Sequence, residues 1–253
     1  MTDMRTWGLV DPSELRRTVV ISPHLDDAVL GCAHLLARWP GSTVLTVFAG
    51  APAEYPDPVT RWDALAGFTT ADQPLAARRQ EDTRALATLD ASAVWLDFVE
   101  HQYLDRADWV QPDAIVETLD NALRGLDPTA VFVPFGLGNP DHACTHDAAM
   151  RVREGYDGPA WFCYEDTGYK HIPGLLAWRV AQLFRACLWP TPAAPPVDLS
   201  AARKRAALAH YESQMKALDA DWELARNLAA PAPEQYWRLA PPPPGWERLS
   251  GAG

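Results

Sequence analysis

One pattern restricts the fold more than any other. Short β-branched or aromatic apolar runs alternate with longer segments whose apolar residues recur at helical spacing. The first run is Thr18-Val19-Val20-Ile21, which reads as a buried strand. Pro23 ends it, because proline has no N–H for a ladder. From Ala28 the residues Val29, Leu30, Cys32, Ala33, Leu36 and Ala37 mark a helix. Thr43 to Ala49 supplies a second strand and completes a βαβ unit. Further strands are predicted over Ser92–Phe98, Ala130–Pro134 and Ala160–Tyr164. Helices are predicted from Pro74, over Pro112–Leu123, from near Asp141 to Arg153, and over Leu175–Leu188. Such alternation predicts an α/β fold with a parallel sheet. Ser200 is expected to cap one long amphipathic helix, AARKRAALAHYESQMKALDADW.

No internal repeat or boundary divides the chain, so residues 1–253 are read as a single domain. The proline-rich runs WPTPAAPP and LAPPPPGW read as stiff extended connectors, with a proline-rich C-terminal extension from about residue 229 to 253. Residues 50 to 73 form a long connection after a strand's carboxyl end, where a loop of that length is functional, disordered or carries its own short helix. Placed after a strand's carboxyl end, this connection, with its aromatic residues Trp62 and Phe68, is positioned to form one wall of a site.

Chemistry concentrates in two loops. His24, Asp26 and Asp27 lie between the first strand and its helix, at the sheet edge where open α/β folds bind ligands. A histidine and a carboxylate three residues apart across such a turn can converge on one divalent ion, and Asp26 between them is free to hold a proton. The plainer reading makes Asp26 or Asp27 an N-cap and His24 an ordinary loop histidine. The second loop, FGLGNPDHACTHD, leads from the fourth strand into a helix and puts Asp141 and His142 in the equivalent position. Together the loops offer His24, Asp27 and His142 as three ligands with a position left open, as a catalytic ion requires. Asp141 is either an N-cap or a group that orients a ligand histidine through its second nitrogen. His146, one turn beyond His142, is assigned to packing or support of the ligands. His34, His101, His171 and His210 are read as packed or surface histidines. Arg78 is read as part of a solvated face paired with Asp82, with a cleft-facing arginine that binds substrate as the alternative.

The balance of charge, −11, argues against a nucleic-acid or anionic-membrane surface. No GxGxxG opens the first helix, so no dinucleotide fingerprint is present. Four well-separated cysteines without a CxxC pair fit a reducing compartment. With no apolar leader and no spanning segment, a cytoplasmic location is expected.

With both loops considered, the sequence resembles the zinc-dependent N-acetylglucosaminyl-phosphatidylinositol and mycothiol-pathway de-N-acetylase family, called PIG-L or LmbE-like. Its AHPDDE and HPDH motifs correspond to Pro23-His24-Leu25-Asp26-Asp27-Ala28 and Asn139-Pro140-Asp141-His142. Supporting likenesses are Arg78-Arg79-Gln80-Glu81, Tyr164-Glu165-Asp166 and Tyr211-Glu212-Ser213-Gln214. The resemblance implies a Rossmann-like three-layer α/β/α fold with a mostly parallel sheet. It implies one Zn2+ per chain, with Fe2+ or another divalent metal as alternatives, held by His24, Asp27 and His142. Asp26 is implied as general base, and Arg78, Asn139, Asp141 and Tyr164 as substrate-binding residues. The implied activity is hydrolysis of an N-acetyl group from an N-acetylglucosamine-type amino sugar or its conjugate, a small molecule. The alternatives are an amidase acting on a thiol conjugate and a non-catalytic sugar- or metabolite-binding relative. Two departures stand out. Ala28 replaces the motif glutamate, and Asn139 replaces a histidine that in relatives helps stabilise the oxyanion or protonate the leaving amine. Asparagine donates a hydrogen bond but does not shuttle a proton. The proton transfers then fall to Asp26 alone or to another group such as His146.

Overall fold

The structure is a computed structural model and describes residues 8–70, 74–222 and 234–241. Seven strands form one sheet: β1 (Thr18–Ser22), β2 (Thr43–Thr46), β3 (Ser92–Trp95), β4 (Ala130–Pro134), β5 (Ala160–Tyr164), β6 (Trp189–Ala193) and β7 (Tyr236–Ala240). They lie in the order β3-β2-β1-β4-β5-β7-β6. The first five are parallel to one another, and β7 pairs antiparallel with both β5 and β6. The expected Rossmann-like three-layer α/β/α arrangement with a mostly parallel sheet is therefore present.

The layers follow from the period-2 alternation of the strands. Val20, Val44, Phe132 and Phe162 face one side, where they pack with helices α1 (Asp27–Arg38), α3 (Pro74–Thr88) and α7 (Ala201–Leu208). Val19, Ile21, Leu45, Val131 and Val133 face the other, against α4 (Pro112–Leu126), α5 (Pro140–Glu154) and α6 (Leu175–Arg185). Both faces of β1 and β4 are covered, and every residue of these two strands is buried. That burial explains why they read as unbroken apolar runs.

Three stretches differ from the sequence expectation. Trp189–Ala193, read as a connector, is edge strand β6, and Tyr236–Ala240, placed in a C-terminal extension, is β7 inside the sheet; the rest of that extension lies outside the described residues. The single long helix after Ser200 is two, α7 and α8 (Glu212–Trp222). They are divided where Tyr211 turns inward, 1% exposed, and its hydroxyl donates to Asp82 at 2.7 Å. Ser200 occupies the N-cap position of α7 without a side-chain capping bond. The long 50–73 connection does carry a short helix, α2 (Arg61–Ala66), capped by the Thr60 hydroxyl. Among the described residues no helix is long and apolar enough to cross a membrane.

Candidate metal centre

The carboxyl ends of β1, β3, β4 and β5 meet at one edge of the sheet, and each contributes to a single cluster. After β1 the chain turns through His24 into α1. Ser22 braces this turn: its hydroxyl donates to the His24 carbonyl at 2.6 Å and accepts from the Ala28 N–H at 3.0 Å. After β4 the loop reaches α5 through Gly136, whose φ of +75° suits glycine and whose added Cβ would lie 2.6 Å from the His146 Cβ. Asn139 caps α5 by accepting from the Asp141 N–H at 2.8 Å.

These two turns bring His24, Asp27 and His142 together. Their ligand atoms all lie within 4.8 Å of one another. Asp27 Oδ2 is 3.2 Å from His24 Nδ1 and 3.1 Å from His142 Nε2. The second nitrogen of each ring is held by another carboxylate. His24 Nε2 is 3.0 Å from Asp141 Oδ2, and His142 Nδ1 is 2.5 Å from Asp166 Oδ1. Asp166 follows β5, and its side chain is fully buried. Carboxylates anchor the outer nitrogens and leave the inner nitrogens facing Asp27, the arrangement found behind metal-ligating histidines. Two imidazoles and a carboxylate in a partly buried pocket form a donor set that fits a divalent cation.

The electrostatics agree with that fit. Burial works against charge on His142, but Asp27 and Asp166 outweigh it and carry the ring up to about 9. Burial likewise opposes charge on His24, and Asp141 and Asp27 carry it well above the usual imidazole range. For Asp27 burial pushes upward, yet the two histidines hold its carboxyl far below the ordinary value. The pocket draws positive charge, which a bound cation would supply. Asp26 behaves differently. Burial, then the charge of Asp27, raises it to about 7. It sits at the N-cap position of α1 but makes no side-chain capping bond, and it lines the cavity beside the three candidate ligands.

That cavity has a volume of about 230 Å³. Its apolar wall includes Leu25, Leu30, Trp62 and Leu218. Trp62 comes from α2 in the 50–73 connection, as its position suggested, and its indole N–H donates to Gln214 at 3.1 Å. Phe68 is not among the lining residues.

Other site residues are placed differently from expectation. Tyr164, assigned to substrate, lies in the core at 1% exposure, with its hydroxyl donating to the Ile21 carbonyl at 3.0 Å. Asp141 is turned wholly to the histidines around it and does not line the cavity. Arg78 is not on a solvated face, and Asp82 instead accepts from Trp95 and Tyr211. The Arg78 guanidinium is buried against Asp63 at 2.5 Å and Glu100 at 3.2 Å while still lining the cavity. Asn139 lines the cavity, its amide 3.4 Å from the Tyr169 hydroxyl. His146 points away, with Nδ1 2.8 Å from the Pro134 carbonyl; burial, then Arg179, lowers it to about 3. It is not placed to replace the motif histidine. His101, read as a packed or surface residue, lines the cavity and binds Asp141. The signal for it was its place in a polar run just after β3, on the same sheet edge as the other two loops.

Fold and site together define an α/β protein with a His-Asp-His candidate metal centre at the carboxyl edge of its sheet. The sequence profile described as PIG-L: GlcNAc-PI de-N-acetylase matches residues 19–153, and the chain belongs to that family. Several of the proteins it is similar to are deacetylases. It is 29% identical over 169 residues to the 2'-N-acetylparomamine deacetylase of Streptomyces fradiae, a match covering 60% of this chain and 57% of that protein. The chain thus spans little more than half the length of that curated relative. The crystal structure of the A40926 pseudoaglycone deacetylase Dbv21 superimposes with a TM-score of 0.69 at 30% identity, covering 89% of this chain and 98% of that one. A deacetylase–teicoplanin complex from the teicoplanin biosynthesis pathway gives a TM-score of 0.66 at 25% identity, covering 90% of this chain and 99% of that one.

Proposed function

We propose that this protein is a metal-dependent hydrolase that removes an N-acetyl group from an amino-sugar unit of a small-molecule conjugate. The observation that carries the proposal is the meeting of His24, Asp27 and His142 in one cavity, with Asp26 beside them and raised to about 7. His24, Asp27 and His142 would hold Zn2+, one per chain, or Fe2+ or another divalent ion in its place. Such an ion, when bound, supplies Lewis acidity, acidifying water and polarising a carbonyl.

The chain's own residues account for the remaining chemistry. Asp26, titrating near neutrality and uncommitted to the helix cap, takes a proton from the attacking water. Asp141 and Asp166 fix the tautomers of His24 and His142 and keep the donor set in place. The cavity is smaller than a typical drug-sized pocket of roughly 300–1,000 Å³. It therefore takes the N-acylated sugar end of a larger molecule, with Trp62, Leu25, Leu30 and Leu218 offering an apolar wall for the ring or its neighbouring group. The relatives' substrates point to amino-sugar units on antibiotic-type scaffolds. Arg78 and Asn139, at the cavity surface, are the remaining proposed substrate contacts. The chain is proposed to act as one domain in the cytoplasm, where its four unpaired cysteines fit a reducing environment.

The test is incubation of metal-free and Zn2+-, Fe2+- or Mn2+-loaded protein with N-acetylglucosamine conjugates, including N-acetylated aminoglycoside and glycopeptide sugars. Released acetate and primary amine are measured. Release by a loaded form that the metal-free protein lacks is expected; none from any loaded form would refute the proposal.

A further inference from the structure

Three histidines line the cavity: His24, His101 and His142. Two are candidate ligands. His101 belongs to neither motif and comes from a 3-10 turn, His101–Tyr103, after β3. Its position is closely specified. The Asp141 carboxylate accepts from the His101 backbone N–H, at 3.2 Å to Oδ2, and from the ring at Nδ1, 2.8 Å away. Trp109 supports the ring edge-on, with centroids 5.3 Å apart. The same Asp141 Oδ2 holds His24 Nε2, so the ring of His101 and that of a candidate ligand meet at one oxygen. Among the described residues no hydrogen bond engages His101 Nε2.

An imidazole that lines the reaction cavity, with Nδ1 anchored on a buried carboxylate and Nε2 not engaged by any hydrogen bond among the described residues, suits a proton donor or acceptor. The cavity needs such a group for the amine that leaves. Asn139 lacks a transferable proton, and its amide is engaged by the Asp141 N–H and Tyr169. His146 faces the Pro134 carbonyl.

We infer that His101, oriented by Asp141, is the acid that protonates the departing amine, an inference that rests on the deacetylase reading above. Water gives one proton to Asp26 and its hydroxyl oxygen to the acyl carbon. When the adduct collapses, the C–N bond breaks with its electron pair going to nitrogen, and Nε2–H of the His101 imidazolium supplies the proton to that nitrogen. The carboxylic acid formed and Asp26 each release one proton. His101 takes one back and the amine takes the other, so the cycle closes with a carboxylate and an ammonium product.

The experiment compares wild-type metal-loaded protein with H101N and H101A on the N-acetylglucosamine conjugates, with kcat, KM and bound metal measured for each. Asparagine at 101 can still donate to Asp141, so the neighbouring ligand stays placed. For H101N a fall in kcat of about 100-fold or more is expected, with KM within about 3-fold and metal content equal to wild type. If wild type is active and H101N keeps its kcat, or loses activity only together with its metal, the inference is overturned while the hydrolase reading stands. If wild type itself releases no acetate from any conjugate, the hydrolase reading falls first and this inference with it.

Discussion

Arg78 offers the sharpest test of how the pocket is held together. Its side chain is 3% exposed, and its partner Asp63 in α2 is 0% exposed at 2.5 Å. The second partner, Glu100, lies just before the His101 turn at 3.2 Å. The Tyr103 hydroxyl donates to both Asp63 oxygens and also accepts from Arg78. One guanidinium thus joins α2, α3 and the turn that carries His101. Replacing it by methionine keeps most of the stem's volume but leaves two carboxylates buried with no cation between them. Breaking a buried ion pair from one side costs about 3–5 kcal/mol. For a chain of this size each kcal/mol shifts Tm by roughly 2–4 °C, so R78M should melt at least about 6 °C lower. Most of that cost is the uncompensated Asp63, so D63N in the R78M background should recover part of it. The assay is urea unfolding of the four proteins of the double-mutant cycle, with a coupling above about 1 kcal/mol expected between 78 and 63. A loss below about 1 kcal/mol for R78M, or strict additivity, would refute the reasoning and return Arg78 to the solvated face that its sequence context suggests.

The remaining predictions concern the centre and one buried acid. D26N should lower turnover by at least about 100-fold with bound metal unchanged by elemental analysis; a fully active D26N removes it as base. D166A frees the ring of His142 and should weaken metal affinity by about 10–100-fold, read by competition with a chelating dye, and unchanged affinity would contradict its supporting role. Zn2+ should raise Tm of the metal-free protein, since a ligand at 100 times its Kd adds about 2.7 kcal/mol, and D27N should abolish that rise. Burial pushes Asp82 to about 6 from an ordinary 3.8, against the hydrogen bonds from Tyr211 and Trp95. Its folded-state value is raised, so its contribution is complete below about pH 3.8 and is lost as pH climbs through 6, on the order of 3 kcal/mol. Unfolding curves from pH 4 to 7 should therefore move in favour of D82N relative to wild type, and a pH-independent difference between them would count against this.

Parts of the fold were legible because local sequence and burial agree. β4 and β5 are predicted with the ends they have, Ala130–Pro134 and Ala160–Tyr164, since strands covered on both faces must be continuously apolar. β6 was hidden by Pro190 and Pro192. Two residues apart, both prolines present the same side, and β6 is the edge of the sheet, so their missing N–H groups need not serve a ladder. Nothing local in β7 shows that it crosses back between β5 and β6. Nor does any glycine or proline mark the break between α7 and α8; it is set by Tyr211 reaching Asp82, 129 residues away in sequence.

The site divides along the same line. His24 and Asp27 are three residues apart and His142 opens a helix, so the turns that aim them are written in the sequence beside them. The groups that make those histidines useful are remote. Asp141 reaches His24 across 117 residues and His101 across 40, and Asp166 reaches His142 across 24. None follows from periodicity. A shared strand edge is what joins them, because a parallel sheet delivers the loop after each strand to the same side. On that ground every acid or histidine within a few residues of a strand's carboxyl end is a candidate for the centre. The rule admits His101 and Asp166, which follow β3 and β5, and passes over His34 and His210, which lie in or beyond helices. Widened to any polar side chain, the same rule admits Tyr164, which the structure turns into the core at 1% exposure, because the last residue of a buried strand still alternates between faces. Position along the chain therefore selects the edge, and only the pleat decides which of its residues face the cavity.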